Sequence, residues 1–395
     1  MRNFVPLLVV LLVIALALRV DFFVTIVYFL AALYVLSRIW MGRALRHLGV
    51  RRAFTDHAFT GDLVAVDLTV RNGGWLPIPW VEVSESLPVR LMAVPFDRQV
   101  ITLGPYGEWH HRYTLACRHR GYYDLGPLSL ELGDLLGLAR RTGQGAEPKR
   151  LTVYPRVVAL HELGLPTHSP MVALPVQSPL FEDASRIMGV RDYQRGDALR
   201  RLHWTATART GRLVVKQYQP AIARETLICL DLDEDDYEIT RRYPGTELAI
   251  VAAASIASHI ILKEGLAVGL ITEAVDPLVG AERYIALPPR AERAHLMTNI
   301  LETLARVQMT QGAAFAELLH RAGVHASWGT TFVVITGGAS QALFDNLLGL
   351  RRRGFSVTLI LAQPDVAAHE WQEQAARIGM PLLEAWSDRD LETWR

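Results

Sequence analysis

The chain is poor in cysteine and almost without net charge. Its two thiols, Cys117 and Cys229, lie far apart and outside any C-x-x-C pair, which excludes a disulfide framework and a cysteine-built zinc cluster. Forty-one basic residues face 40 acidic ones, for a formal charge of +1. No global field therefore draws the chain to nucleic acid, and any polyanion contact must be local. The glycine motifs that cradle phosphates are also missing. No G-x-x-x-x-G-K-[ST] occurs, and no G-x-G-x-x-G leads from a strand into a helix, so the standard nucleotide sites are excluded. G-x-S-x-G is absent too, and with it the nucleophile elbow of the α/β-hydrolases.

What is present begins with two apolar runs in a chain of 395 residues, a length that implies two or three domains. "FVPLLVVLLVIALAL" (Phe4 to Leu18) and "FFVTIVYFLAALYVLS" (Phe22 to Ser37) contain no charged residue. Each falls slightly short of the ~20 residues that cross a bilayer core. Sharing the Arg19-Val20-Asp21 turn brings both close to that length and predicts a transmembrane helical hairpin within residues 1–40. The Ala15-Leu16-Ala17 triplet suggests a cleavable signal, but the apolar stretch restarts directly after it. Arg2 precedes the hairpin and Arg38, Arg43, Arg46, Arg51 and Arg52 follow it, while Asp21 balances the Arg19 of the turn. The positive-inside rule then predicts a two-pass protein of the cell (inner) membrane with its soluble domains in the cytoplasm. Residues 41–52 read as a basic juxtamembrane segment, a helical continuation whose arginines can meet anionic headgroups.

From residue 53 to 147 the hydrophobic period falls to two. "LVAVDLTV", "WVEVSESL", "RQVITL", "WHHRYTLAC" and "GPLSLEL" are short alternating runs between Gly, Pro and Asn, which predicts an antiparallel β-sandwich-like domain. The Asn72-Gly73-Gly74 turn suits a hairpin. His110 and His111, adjacent on a strand, point to opposite faces and cannot chelate one metal together. Residues 148–223 read as a connector that opens on a proline-rich, poorly periodic stretch. Residues 224–395 then alternate buried-type strands with helices, from "TLICLDL" at Thr226 to "PLLEAW" at Pro381, which predicts a doubly wound α/β domain. The expected class is therefore multidomain: a transmembrane helical hairpin, a β-sandwich-like domain and a C-terminal doubly wound α/β domain.

Two constellations carry possible chemistry. The first strand of the α/β domain ends in "LDLDEDDYE", which sets Asp231, Asp233, Glu234, Asp235 and Asp236 at the strand edge where such folds bind ligands. Asp231, Asp233 and Asp235 can hold Mg²⁺, because a hard cation wants oxygen ligands and offsets carboxylate repulsion. The Asp231-Leu232-Asp233 spacing also resembles the D-x-D of haloacid-dehalogenase-like phosphatases, giving an alternative reading as a membrane-bound Mg²⁺-dependent phosphohydrolase, with Thr336 a candidate for that family's threonine. A solvated acidic loop without chemistry is the third reading.

The second is "GVRDYQRGDALRRLHWTATARTGRL", residues 189–213, with six arginines. Asp197 can cap a helix from Ala198 that Gly211 ends, with Leu199, Leu202 and Ala206 on one face. The arginines can bind a phosphate, serve a partner protein, or clamp internal carboxylates, which would make the segment a clasp between connector and α/β domain.

Arg191, Tyr193, Gly196, Asp197, Arg200, His203, Trp204 and Arg209 stand in an order that resembles the signature of domain-of-unknown-function family 58, roughly VR-x-Y-x-x-GD-x-x-R-x-I-x-W-x-x-x-A-R. "RHRGYYDLGPLSLELGDLLGLARR", from Arg118 to Arg141, is similar to a second motif of that family, with Leu135 and Leu136 in place of Pro and Phe. The resemblance implies a membrane-anchored protein with a von Willebrand factor A-like C-terminal part and a MoxR-type AAA ATPase as partner, often beside a transglutaminase-like membrane protein. It implies an adaptor or assembly role without catalysis. An adhesion-type metal site would fall at Asp231, Asp233 and Asp235, where the family-type serines are replaced. Nucleic acid is not an expected partner.

Overall fold

The computed structural model describes residues 6, 9–14, 21–91, 98–134, 140–160, 182–194, 197, 199–220, 225–312, 315–364 and 368–394. They form two compact units, Met1–Arg156 and Val157–Arg395.

The first unit opens on an apolar helix, α1 (Asp21–His47), of 27 residues. At 1.5 Å per residue it is about 40 Å long, and from Phe22 onward it is long and apolar enough to cross a membrane. Of the earlier run, residues 9–14 are helical. Apart from residue 6, the rest of that run, with Arg19 and Val20 of the expected hairpin turn, lies outside the described residues.

The juxtamembrane segment does not stay helical to Arg52. The helix stops at His47, and β1 (Leu48–Ala53) pairs antiparallel with β3 (Leu63–Asn72), Leu48 opposite Asn72 and Ala53 opposite Asp67. Gly49 and β-branched Val50 weaken the helix there, and six paired residues outweigh its extension. Just before the break, Met41 and Ala44 are buried in the core of the β domain. The apolar helix thus runs straight into the sandwich it carries.

Among the described residues this β-rich part consists of three sheets. One orders β1, β3 and β6 (Glu108–Ala116); a second orders β2 (His57–Phe59), β10 (Lys149–Tyr154) and β7 (Gly121–Leu125). The third orders β5 (Arg98–Leu103), β4 (Ile78–Glu85), β8 (Leu128–Gly133) and β9 (Arg140–Ala146). Period-two alternation sends Val64, Val66, Leu68 and Val70 of β3 and Leu128, Leu130 and Leu132 of β8 into one core. The Asn-Gly-Gly turn does not close a hairpin, since β3 and β4 belong to different sheets. The Asn72 amide donates to the carbonyls of Leu76 and Gly104, 2.8 Å each, and so steers the chain across the sandwich. Below it sits a buried ion pair: the Arg52 guanidinium meets Glu85, whose other oxygen accepts from the Tyr113 hydroxyl at 2.6 Å.

The stretch 148–223 is not one connector. β10 is paired in the sandwich, because Leu151 and Val153 alternate inward as core residues. Val158 and Leu160 instead belong to the second unit: the Val158 amide donates to Ser255 Oγ at 2.9 Å, and Lys263 Nζ donates to the Leu160 carbonyl at 2.7 Å. Farther on, β11 (Glu182–Asp192) and β12 (Val214–Pro220) form a two-stranded antiparallel arm, with the short helix α2 (Trp204–Thr210) between them.

The rest of the second unit is a six-stranded sheet in the order β15 (Ala281–Arg290), β14 (Ala267–Asp276), β13 (Glu225–Leu230), β16 (Thr331–Thr336), β17 (Ser356–Ala362), β18 (Leu382–Ala385). Every neighbouring pair is parallel except β14 with β15. Strands β16 and β17 are buried almost throughout, as expected of runs without a polar face. The helices follow in chain order: α3 (Arg242–His259), a helical run over 293–306, α4 (Phe315–His325), α5 (Gln341–Arg352), α6 (Ala368–Arg377) and α7 (Asp388–Thr393). Phe315 and Leu319 of α4 and Phe344 and Leu347 of α5 pack with Phe332 of β16 in one cluster. The alanine-rich α3, apolar enough to resemble a membrane span, is spent on the core: 83% of its most apolar window is buried. Strand β15 and helix α4 have no counterpart among the expected elements. Pro288 and Pro289 hid β15, which tolerates them because it is an antiparallel edge strand.

Two predictions follow from these contacts. Glu85→Leu leaves the Arg52 charge buried without its partner and is expected to cost ~3–5 kcal/mol, read as a fall in the denaturation midpoint of the full chain in detergent. His295 is buried, with Nε2 against the Val268 carbonyl at 3.2 Å, and burial holds its pKa below the ordinary 6.5. The unfolded chain takes that proton first, so stability present above pH 6.5 is lost as the pH falls through and below that value. His295→Gln should flatten this slope in unfolding curves collected across the interval.

Candidate functional site

The strand order reverses between β13 and β16: the chain builds outward from β13 to β14 and β15, then returns beside it with β16, β17 and β18. The chain therefore leaves the carboxyl ends of the two central strands in opposite directions along the sheet, at the usual ligand position of such folds. Asp231 follows β13, and Thr336 ends β16.

Asp231 is 2% exposed. Its Oδ1 accepts from the Asp233 amide at 3.0 Å, and its Oδ2 from the Thr336 hydroxyl at 2.7 Å. The Asp231 amide donates to the Ile335 carbonyl, and the Tyr237 hydroxyl to the Asp231 carbonyl, both at 2.9 Å. Asp231 therefore latches the ends of β13 and β16 together. Burial and the adjacent Asp236 charge push its carboxyl well above the usual range, and burial raises Asp236 as well. Gly337 faces the Tyr237 ring so closely that any side chain there would collide with it. That contact explains why Gly337 follows Thr336.

The other carboxylates point elsewhere. Asp233 Oδ1 accepts from the amides of Asp235 at 3.1 Å and Gly312 at 3.2 Å. Asp235 turns outward to Arg242 Nη2 at 3.1 Å, and the same guanidinium reaches Glu234 at 3.3 Å. Asp231, Asp233 and Asp235 thus do not converge, and among the described residues no group of three or more His, Cys, Asp or Glu is arranged to hold a metal ion. These residues do not fit the Mg²⁺ site expected of them. A phosphohydrolase nucleophile at Asp231 would have to leave the hydrogen bonds that both its oxygens already accept.

Outside this latch the strand-end surface is apolar and charged together. Ile239, Tyr243 and Trp386 are exposed, and the Arg241 guanidinium lies 5.5 Å from the Trp386 ring centre. None of the three was singled out from sequence. None belongs to a motif, and only the return of the chain after β18 brings Trp386 beside Arg241.

The arginine segment is the tip of the β11–β12 arm. Arg191 holds Asp197 through two bonds, 2.8 and 2.7 Å, and this hydrogen bonding, with that of the Gln194 amide, keeps the Asp197 carboxyl below the usual range. Asp197 also accepts from the Gln194 amide at 2.8 Å. It closes this turn and caps no helix, because the guanidinium and the turn amide occupy its oxygens. Leu199–Arg201 is a 3-10 turn, and α2 begins only at Trp204, capped by His203 Nδ1 accepting from the Ala206 amide at 3.2 Å. Gly211 ends it in the left-handed conformation, as its place in the sequence predicts. The expected apolar face breaks up: Leu202 is buried against the arm, while Leu199 is exposed. The Tyr193 amide bonds the Leu213 carbonyl at 2.8 Å. Arg200, Trp204 and Arg209 face solvent. Gly196 lies outside the described residues.

An α/β unit with an internally latched acidic loop and a basic arm defines the class of protein. Residues 189–358 match the family described as "Protein of unknown function DUF58", the resemblance carried by the signature residues of the arm. The curated relative "Uncharacterized protein YeaD" of Bacillus subtilis (strain 168) is 26% identical over 231 residues, 57% of this chain and 54% of that protein, so the chain spans about half the length of the relative it matches. Among solved structures, "von Willebrand factor type A from Catenulispora acidiphila" is 14% identical, covers 46% of this chain and 42% of its own, and has a TM-score of 0.31. The CARDB domain of the PF1109 protein from Pyrococcus furiosus is 15% identical, over 27% of this chain and 91% of its own, with a TM-score of 0.21.

If the latch is the purpose of the carboxylate, Thr336→Val should cost ~1–3 kcal/mol by leaving a buried acceptor unpaired. Mg²⁺ at millimolar concentration should leave the melting temperature of the wild-type chain unchanged. A rise of several degrees would reveal a bound cation.

Proposed function

We infer that this chain is a membrane-anchored, non-catalytic adaptor that offers the strand-end surface of its C-terminal unit to a partner protein. The observation that carries the reading is the exposure of Ile239, Tyr243 and Trp386 beside a loop whose buried carboxylates are bonded internally. Aromatic and aliphatic anchors ringed by charge suit a protein interface, and a loop held by its own hydrogen bonds presents them without reorganising. The proposed partner is a MoxR-type AAA ATPase, with a transglutaminase-like membrane protein in the same assembly. In this reading residues 1–40 are a two-pass hairpin in the inner membrane, the arginines after it hold the soluble units in the cytoplasm, and residues 224–395 are a doubly wound, von Willebrand factor A-like domain. The ATPase supplies the work and this chain supplies the anchorage.

Cross-linking the full chain with that ATPase in native membranes tests it. The double variant Ile239→Ser, Trp386→Ala should lower the yield of the cross-linked pair by about tenfold or more while the chain stays folded and membrane-bound. An undiminished yield would remove the strand-end surface from the interaction, and no cross-linked ATPase at all would remove the partner.

A further inference from the structure

The junction between α1 and the sandwich contains a cavity of ≈ 490 Å³. Among the described residues, Leu33, Leu36 and Met41 of the helix form one wall, and Ile78, Pro79 and Leu132 form the other. Its size lies within the ~300–1,000 Å³ typical of pockets for small organic ligands. Polar groups at its rim are bonded to one another: Ser37 Oγ donates to Asp134 at 2.7 Å, and the Trp40 indole N–H donates to the Pro77 carbonyl at 3.0 Å. The apolar walls have no hydrogen bond to offer, which selects against a polar ligand and gives water little reason to stay.

The position of the cavity along the helix names its occupant. A bilayer core takes up ~20 helical residues, so a span that begins at Asp21 leaves the hydrocarbon near Trp40, the side chain favoured at that boundary. Leu33 and Leu36 then lie at lipid depth. Met41 and Ala44, which also line the cavity, belong to the sandwich core outside it. The cavity therefore straddles the boundary and is continuous with the lipid-facing side of the helix, where Phe29 and Leu36 are exposed. We propose that it is a lipid side-pocket, which takes one acyl chain of a bilayer phospholipid out of the leaflet and against the underside of the β domain. The proposal rests on the membrane-spanning reading of α1. It gives this β domain a ligand class of its own, and ties the seating of that domain to the lipid around the helix.

The test uses the full chain reconstituted in phosphatidylcholine and phosphatidylglycerol vesicles that contain a small fraction of phospholipid with a diazirine at the acyl-chain end. After illumination, label is expected on the peptides holding Ile78, Pro79 and Leu132, as well as on α1. Leu36→Trp fills the mouth and should reduce label on those sandwich peptides several-fold, whereas Val35→Trp, an exposed position of the same helix that does not line the cavity, should not. Label confined to α1, or unchanged by Leu36→Trp, overturns the pocket. So does a photoreactive residue at position 79 that cross-links only to protein, which would make the occupant a helix. Alkaline carbonate extraction separates the two readings. A chain that stays in the membrane with an unlabelled sandwich defeats the pocket alone, and a chain that is extracted defeats the membrane reading and the pocket with it.

Discussion

A carboxylate buried at the end of a central parallel strand must be satisfied from within, and much of the second unit is arranged around that need. Asp231 occupies the point where the sheet changes direction, and each of its oxygens has a donor on a neighbouring element: the turn that follows it, and the end of β16. Left unpaired at that depth, the group would cost more than the hydrogen bonds it makes are worth. Tyr237 folds over it, Gly337 gives way to the Tyr237 ring, Asp233 is held on backbone amides, and Glu234 and Asp235 turn out to Arg242. One requirement thus makes the loop rigid and sorts its charges.

The N-terminal unit obeys a different constraint. An apolar helix cannot end in water with its last turns bare, and α1 ends by placing Met41 and Ala44 in the core of a sandwich. The β domain is consequently joined to this helix by packing, and β1 starts on the residue after the helix stops. A rigid joint of this kind fixes which face of the sandwich looks back along the helix, and the cavity beside Trp40 lies on that face.

Much of this is legible in the residues. Period-two alternation located β3, β5, β6 and β8, and uninterrupted apolar runs located β13, β14, β16 and β17, because burial on one face or on both leaves its period in the sequence. The segment around Arg191 and Trp204 stood out too, by its six arginines. Other features were not legible. Strand β1 reads as more helix, since its two adjacent arginines hide the period of two: Arg51 faces out, while Arg52 turns in to Glu85. The Asn-Gly-Gly turn reads as a hairpin, because one of the competing bonds of Asn72 goes to the carbonyl of Gly104, 32 residues on and just past β5. In the site, Asp231 and Thr336 could be picked out as residues, but not as bonded partners, and Asp235 was grouped with carboxylates from which its tie to Arg242 removes it.

Composition and periodicity alone determined that this protein has an apolar N-terminal helix, a β-rich part and an alternating α/β part, in that order, and that an acidic turn follows the first strand of the last. These are local properties: each depends on residues a few positions apart, whose spacing sets which face is buried. Tertiary structure decided the rest, including where α1 ends, that Arg191 turns to Asp197 while Arg200 and Arg209 face outward, and that Trp386 joins Ile239 and Tyr243 beside the latched loop. The physical reason is distance along the chain. A hydrogen bond from Thr336 to Asp231, or a guanidinium that follows a central strand over an indole that follows the edge strand, exists only after the strands have been put in order.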